Sequence, residues 1–214
     1  MDNNTLSIYV HELRNQFTNL QASFDLFNQS IAAKNGQGIL YTGGMILFPA
    51  SQIVSILWPT RARSRGRGEA LRKVFQLEEK HVLNDRRLSE INEHSDTKTE
   101  EWIAKTKGQQ IVFDFVGPRA ELDTIEPSEN GELVSDENIY RAYDPDTRVY
   151  YYRGVAYNMN AIATALADVS GRVNNVYAQM FPEQVKREQE FVAAQRKAIE
   201  EAEAAQQAAD SAKK

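Results

Sequence analysis

The stretch LSIYVHELRNQFTNLQASFDLFNQSI, residues 6–31, contains the most regular pattern in the chain. Its apolar side chains recur at alternating steps of four and three residues, which is the spacing of a heptad seam along one face of an α-helix. The seam consists of Leu6, Val10, Leu13, Phe17, Leu20, Phe24, Phe27 and Ile31. Its bulky phenylalanines favour packing inside an antiparallel bundle over a two-stranded coiled coil. This stretch therefore predicts a long first helix, which Asn35 and Gly36 would end.

A second seam of the same kind lies towards the other end of the chain. It follows Asn158, a residue type suited to capping the start of a helix. The seam consists of Met159, Ile162, Leu166, Val169, Val173, Val176 and Met180. We expect this helix to be the partner of the first one. Pro182 ends it, and residues 183–214 are rich in Ala, Glu and Gln, which predicts an exposed C-terminal helix or tail with little to bury.

Residues 39–58 form the most apolar segment of the chain. Glycines, serines and Pro49 interrupt it, so we predict a buried helix, kinked or interrupted at Pro49, and no membrane span. The first 16 residues lack the basic and apolar regions of a signal peptide, and the chain has no cysteine. A cytoplasmic protein is therefore predicted.

Composition also limits the kinds of site. With no cysteine and three histidines, neither a metal site nor a cofactor is predicted. The formal net charge of -5 argues against a surface that binds nucleic acid everywhere, although it is compatible with a local basic patch.

The segment between Gly108 and Gly154 has the pattern of β-structure. Residues 111–116 read as a strand, and residues 139–143 and 148–153 flank a turn at 144–147. The acidic residues 119–138 show no periodicity and predict a long surface loop. Tyrosines at 150–152 are able to stack on bases, but tyrosines in a hairpin more often fill a core.

Together these patterns predict a mainly α protein. Residues 1–182 would form a bundle of four or five helices, with a small β-hairpin or three-stranded sheet inserted at about 109–154. Residues 183–214 would project from it as the C-terminal helix.

A basic segment, TRARSRGRG at residues 60–68, stands out in this acidic chain. Its arginines are Arg61, Arg63, Arg65 and Arg67. A spacing of two among small residues is not helical, so it predicts a mobile basic loop. The loop would either bind the phosphate groups of RNA or form a solvated turn whose charges offset neighbouring acids. The high local charge favours the first interpretation and the lack of interleaved aromatic residues favours the second.

Residues 84–107 predict one polar helix that ends before Gly108. Its apolar content is thin, so it would cover other helices or display functional groups. Arg86, Arg87 and His94 are the groups on it that are able to act on a phosphodiester.

The order of short motifs along the chain resembles a group of uncharacterised bacterial helical proteins related to the HEPN superfamily. The likeness covers roughly residues 5–175 and rests on residues 56–59 (ILWP), 67–72 (RGEALR), 88–102, 114–118, 140–145 (YRAYDP) and 152–157 (YRGVAY). It implies a helical bundle, often dimeric. Many HEPN domains are metal-independent endoribonucleases of toxin-antitoxin and phage-defence systems.

The HEPN signature is an arginine, often followed by asparagine, and then a histidine after four to six intervening residues. When the short motifs above are matched to those of the group, the signature histidine falls on His94, but Ser89 and Glu90 occupy the place of the Arg-Asn pair. Arg87 lies about two helical turns before His94 and would share its face, with Arg86 nearby. Against such a replacement, Glu90 and Glu93 would repel a phosphodiester.

The sequence therefore leaves three functional hypotheses. The first is a non-catalytic or weakly catalytic HEPN-like bundle that binds RNA or a protein partner such as an antitoxin, as a homodimer, in bacterial defence or stress. The second is an endoribonuclease that uses His94 with Arg87 or Arg86. The third is a structural module whose helical seams bind partner helices.

Overall fold

A computed structural model describes residues 1–125 and 133–211 of this 214-residue chain. The described part is mainly helical, with eight α-helices and one four-stranded sheet. The chain divides into two compact units, Met1–Val173 and Asn174–Lys214, so the division predicted after residue 182 falls inside the second unit. The mainly α prediction is confirmed, whereas the number of helices in the bundle stays a prediction.

Helices α1 (Asn3–Ala32) and α2 (Gly36–Leu57) form an antiparallel hairpin. Every residue of the predicted first seam is buried or half-buried. Asn35 does not end α1 but caps the start of α2, since its side chain accepts a hydrogen bond from the backbone N–H of Gly38 at 3.0 Å. Helix α1 packs extensively against α2, because the short connection at residues 33–35 brings consecutive helices together.

Helix α2 is the central element of the first unit. It packs against α1, two later helices and two strands, and Pro49 lies inside it without ending it. By length and composition α2 is the one described helix able to cross a membrane, yet 61% of its apolar window is buried inside the protein. That burial agrees with the predicted core helix.

The basic segment is not a loop throughout. A 3₁₀ turn at Ala62–Ser64 leads directly into α3 (Arg65–Val74), so Arg65 and Arg67 are helical. The alternating Arg and Gly residues give no helical signal for the first turn of α3, whose later residues are good helix formers. Gly68 is needed where α3 approaches the end of α2, because a Cβ there would collide with Pro59.

The single helix predicted at residues 84–107 is two helices, α4 (Arg86–Glu93) and α5 (Ser95–Lys105). His94 is the break between them, with φ -148° and ψ 43°. Ser and Asp compete with helix interiors but favour helix starts, and Ser95 and Asp96 begin α5. Leu88 and Ile91 bury the inner face of α4 against α2.

The sheet has four strands in sequence order: β1 (Val112–Val116), β2 (Ile139–Asp144), β3 (Val149–Tyr152) and β4 (Val155–Asn158). The β1–β2 pair is parallel and the other two pairs are antiparallel. The predicted hairpin is therefore confirmed, but the sheet extends one strand beyond the predicted boundary at 154, because residues 153–154 form a tight turn.

The two faces of the sheet have different covers. On one face the fully buried Tyr150 donates a hydrogen bond to the backbone carbonyl of Leu40 in α2 at 2.7 Å. The other face contributes to a small core of its own, formed by Val112, Leu122, Val134, Ile139, Ala142 and Tyr151. Leu122 belongs to a short helix, α6 (Arg119–Ile125), inside the segment predicted as a loop. Residues 126–132 of that predicted loop lie outside the described residues.

Helix α7 (Met159–Met180) follows β4 directly. Asn158 caps it as predicted, accepting a hydrogen bond from the backbone N–H of Ala161 at 2.9 Å. The seam residues of its first part, up to Val173, are buried.

In the second unit, α8 (Pro182–Ser211) carries exposed side chains such as Phe191 and Ile199, as predicted for the C-terminal segment. The hydroxyl of Tyr177 donates to Glu188 at 2.9 Å and so ties the end of α7 to α8.

Candidate functional site

A cavity of about 960 Å³ opens between α3 and α4 and is called the α3–α4 cavity below. Its lining combines an aromatic wall with many charges, contributed mainly by Trp58, Arg65, Glu69, Arg72, Lys73, Glu79, Arg86, Glu90, Glu93 and His94. Four of these are Arg or Lys and four are Glu, so the lining is formally balanced in charge when His94 is neutral.

Helical spacing explains why these residues meet. Arg65, Glu69 and Arg72 are four and three residues apart, which places them on one face of α3, while Leu71 of the same helix is buried. On α4 the steps from Arg86 to Glu90 and then to Glu93 follow the same rule. The α3–α4 cavity is thus formed by the polar faces of two short amphipathic helices.

Ion pairs occupy two of the cations. Arg86 donates to Glu90 at 2.6 Å, and Lys98 of α5 approaches the same carboxylate at 3.3 Å. Burial raises the pKa of Glu90, but the hydrogen bonds from Arg86 and Lys98 outweigh it and hold that pKa below its ordinary value. Arg72 pairs with Glu79 and donates to the backbone carbonyl of Leu57 at 2.6 Å. Both guanidinium groups are therefore held by the protein.

The predicted catalytic residues are only partly brought together. His94 is exposed and lines the α3–α4 cavity with Arg86. Arg87 does not line it: its Nη2 contacts Asp85 Oδ2 at 2.7 Å, and the hydrogen bond from Arg87 lowers the pKa of Asp85. Arg87 and His94 do not share a helical face, because α4 ends at Glu93.

The four predicted RNA-binding arginines separate into two groups. Arg61, Arg63 and Arg65 are exposed, and within residues 1–125 and 133–211 they have no carboxylate partner. Arg67 instead turns inward, donates to the backbone carbonyl of Ser55 at 3.0 Å and lies 5.5 Å from the ring centre of Tyr9. Arg67 is therefore held by contacts within the protein, whereas the other three arginines make no ion pair with the described residues.

Two aromatic rings support the wall of the α3–α4 cavity. The buried Trp58 stacks on His81, with ring centres 5.0 Å apart and an angle of 18° between the planes. Desolvation lowers the pKa of His81; Asp168 and Glu78 oppose this effect, and Arg172 adds to it. Neither ring was a candidate from the sequence, since a contact between residues 58 and 81 has no local signal.

We expect this stack to make stability depend on pH. The pKa of His81 is lower in the folded protein than in the unfolded chain, so His81 contributes its full stabilisation at pH values above the unfolded pKa of about 6.5. This stabilisation is lost as the pH falls from the unfolded pKa to the folded pKa. Urea midpoints should therefore fall between about pH 7.5 and 5.5. The variant His81→Gln should be less stable throughout but lose that part of the pH dependence. Identical slopes for the two proteins would contradict this assignment.

Two further features bear on the chemistry that this protein can support. In the part of the chain that the structure describes, no group of three or more His, Asp or Glu side chains is arranged to hold a metal ion. A smaller cavity of about 360 Å³, lined by tyrosines, lies between α2 and the sheet.

Comparison with known proteins identifies no relative. No protein-family model matches the chain, and neither a curated protein nor a solved structure is significantly similar to it. The resemblance to the HEPN superfamily therefore stays a prediction.

Proposed function

We propose that this chain is a non-catalytic or weakly catalytic helical protein that binds RNA through the mouth of the α3–α4 cavity. The observation that carries the proposal is the trio Arg61, Arg63 and Arg65, exposed and without a carboxylate partner among the described residues. The HEPN relationship, the homodimer, the cytoplasmic location and the defence or stress setting belong to the same proposal.

Charge supports this choice of partner. Two of the four cations that line the α3–α4 cavity, Arg72 and Arg86, are held in ion pairs, whereas the arginine trio and Lys73 on α3 are exposed. Arg61 and Arg63 lie along the chain between two lining residues, Thr60 and Arg65. A cation that forms no ion pair in the protein can bind phosphate without breaking an existing contact. A local basic edge on an acidic protein therefore suits a phosphate chain.

The test is the salt dependence of affinity for a short single-stranded RNA. Replacing Arg61, Arg63 and Arg65 by alanine should reduce the slope of log affinity against log salt by about 2, since each phosphate contact on a single strand contributes about 0.7. The measurement is fluorescence anisotropy over a series of salt concentrations. The slope reports the number of phosphate contacts, so the natural RNA sequence need not be known.

A matched control removes the same charge elsewhere. Lys186, Arg196 and Lys197 are exposed on α8, and their replacement by alanine should leave the slope unchanged. If the wild-type protein shows no salt-sensitive binding, or if both triple variants change the slope equally, the proposed RNA surface is wrong. A protein partner would then be the better hypothesis.

The endoribonuclease alternative has one favourable observation, the exposure of His94 in the α3–α4 cavity beside Arg86. It is weaker because Glu90 engages Arg86 and Asp85 engages Arg87. The RNA from the binding experiment should therefore be recovered intact. Cleavage by the wild-type protein that disappears in His94→Ala would reverse this order of preference.

A further inference from the structure

The smaller cavity, called the tyrosine pocket below, is enclosed by α2 on one side and by strands β2 and β3 on the other. Three tyrosines, Tyr41, Tyr140 and Tyr152, line it together with the fully buried Tyr150. Its volume of about 360 Å³ lies in the range of pockets that hold small ligands. None of its lining residues is shared with the α3–α4 cavity.

Contacts from α5 and the neighbouring turn hold two of the rings in place. The ring of Tyr140 packs 5.6 Å from that of Trp102, which in turn donates to the backbone carbonyl of Glu137 at 2.8 Å. Arg153 donates to the Tyr152 hydroxyl and to the backbone carbonyl of Ser95. The ring centres of Tyr140 and Tyr152 are 6.0 Å apart. A flat ligand would therefore meet aromatic walls that are already ordered, which reduces the entropy cost of binding.

The charge in the tyrosine pocket is neutralised. Arg141 lines it, but two of its nitrogens donate to the carboxylate of Asp114 at 2.7 and 2.8 Å. The remaining nitrogen, Nη1, has no hydrogen bond to the described residues, so its two N–H groups are left as donors. The half-exposed ring of Tyr140 and the exposed ring of Tyr41 add hydroxyl groups.

These properties together select a chemical class of ligand. Aromatic walls favour a flat ring that can stack or pack edge to face. Neutralised charge disfavours a free anion or cation, and the donors of Arg141 and the tyrosines require acceptors on the rim of that ring. A nucleobase is neutral and flat, and it carries carbonyl and ring-nitrogen acceptors. Proteins that read unstacked bases do so with aromatic stacking and edge hydrogen bonds of this kind.

We propose that the tyrosine pocket binds a single nucleobase. The base belongs either to an RNA strand, which would extend the RNA binding proposed above, or to a free nucleoside. Because the two cavities share no lining residue, the RNA surface and the tyrosine pocket can be tested separately, and either can fail alone.

The experiment uses one variant that fills the tyrosine pocket and one that does not. Gly44 lines the pocket, and a Cβ there meets only the hydroxyl oxygen of Tyr150, at an ordinary contact distance of 3.6 Å. Gly44→Leu should occupy the space of the ligand. Gly171→Leu is the control, since a Cβ at Gly171 on the exposed side of α7 meets nothing within 4 Å.

Two kinds of probe distinguish the two sources of the base. The first is the set of four free ribonucleosides, whose binding is followed by ligand-observed NMR without any phosphate contribution. The second is a short single-stranded RNA compared with the same strand carrying an abasic site. In each measurement in which the wild-type protein binds the base, Gly44→Leu should weaken binding by about tenfold or more, because that is the usual contribution of one stacked base. Gly171→Leu should not weaken it.

A second variant keeps the test independent of folding effects. Tyr41 is two-thirds exposed, so Tyr41→Ala should fold normally and still weaken binding severalfold. Free-nucleoside binding that Gly44→Leu weakens would assign the pocket to a small ligand, and a preference for the intact strand alone that this variant removes would assign it to RNA. The proposal is overturned if neither nucleoside binding nor a preference for the intact strand is observed, or if the observed binding survives Gly44→Leu. If the arginine triple variant shows no change in salt dependence, the proposed RNA surface fails. The nucleoside measurements can still be interpreted in that case.

Discussion

Tyr150→Ala is expected to lower the free energy of unfolding by about 3–5 kcal/mol, the usual cost of removing a large buried aromatic side chain. Tyr150 is fully buried between the sheet and α2. Burial raises its pKa, so the hydroxyl stays protonated and donates to the carbonyl of Leu40. The variant would lose the ring contacts and this hydrogen bond together. Urea denaturation followed by circular dichroism measures the loss.

A second substitution tests the same contact from the helix side. A Cβ at Gly43 would lie 2.5 Å from the ring of Tyr150, so Gly43→Ala alone should cost about 1–3 kcal/mol. In the Tyr150→Ala background the obstacle is gone, and alanine should stabilise α2 by up to about 1 kcal/mol through its helix propensity. Gly43→Ala is therefore expected to destabilise the wild-type protein but to stabilise the Tyr150→Ala variant. Additive losses in the double variant would show that the ring does not press on this glycine.

The second large effect is expected from Gly68→Ala in α3. Its new Cβ would collide with the ring of Pro59 and lie 2.9 Å from the backbone carbonyl of Leu57. Because a backbone carbonyl and a proline ring give way poorly, we expect a loss near the upper end of the usual 1–3 kcal/mol, about 3 kcal/mol. The displaced α3 would also move Arg65 and so weaken RNA binding.

A matched control lies two residues away in the same helix. A Cβ at Gly66 meets nothing within 4 Å, so Gly66→Ala should leave stability unchanged or raise it by up to about 1 kcal/mol. Thermal unfolding and RNA anisotropy of both variants provide the measurement. Equal behaviour of the two alanine variants would mean that α3 does not rest against the end of α2 in the way described.

The parts of the fold that were predicted correctly are those with a local periodic signal. The seams of α1 and of the first part of α7, the apolar core helix, the strand at β1 and the hairpin all follow from spacing or turn chemistry. The break at His94 has a weaker signal, Ser95 followed by Asp96. The fourth strand and α6 had none that periodicity detects, since four and seven residues are too short for it.

Among the candidate site residues, the sequence predicts exposure where the local sequence decides it, but not where a distant partner does. Arg65 and His94 are exposed on the α3–α4 cavity, as a polar local sequence suggests. Arg67 is drawn inward by Tyr9 and Ser55, and only the tertiary fold brings these residues to α3. The tyrosine pocket was missed for the same reason, because its walls come from segments about 100 residues apart along the chain.

The hydrogen bond from Tyr150 to Leu40 joins residues separated by 110 positions. The α1–α2 hairpin can form from residues that are close together in the chain. The side of α2 that packs against Tyr150 stays uncovered until the sheet has been synthesised. At ordinary synthesis rates of 5–20 residues per second, that interval lasts about 5–20 s. During translation one side of the apolar helix α2 thus stays uncovered for many seconds, so we expect the nascent chain to be most prone to aggregation at this helix.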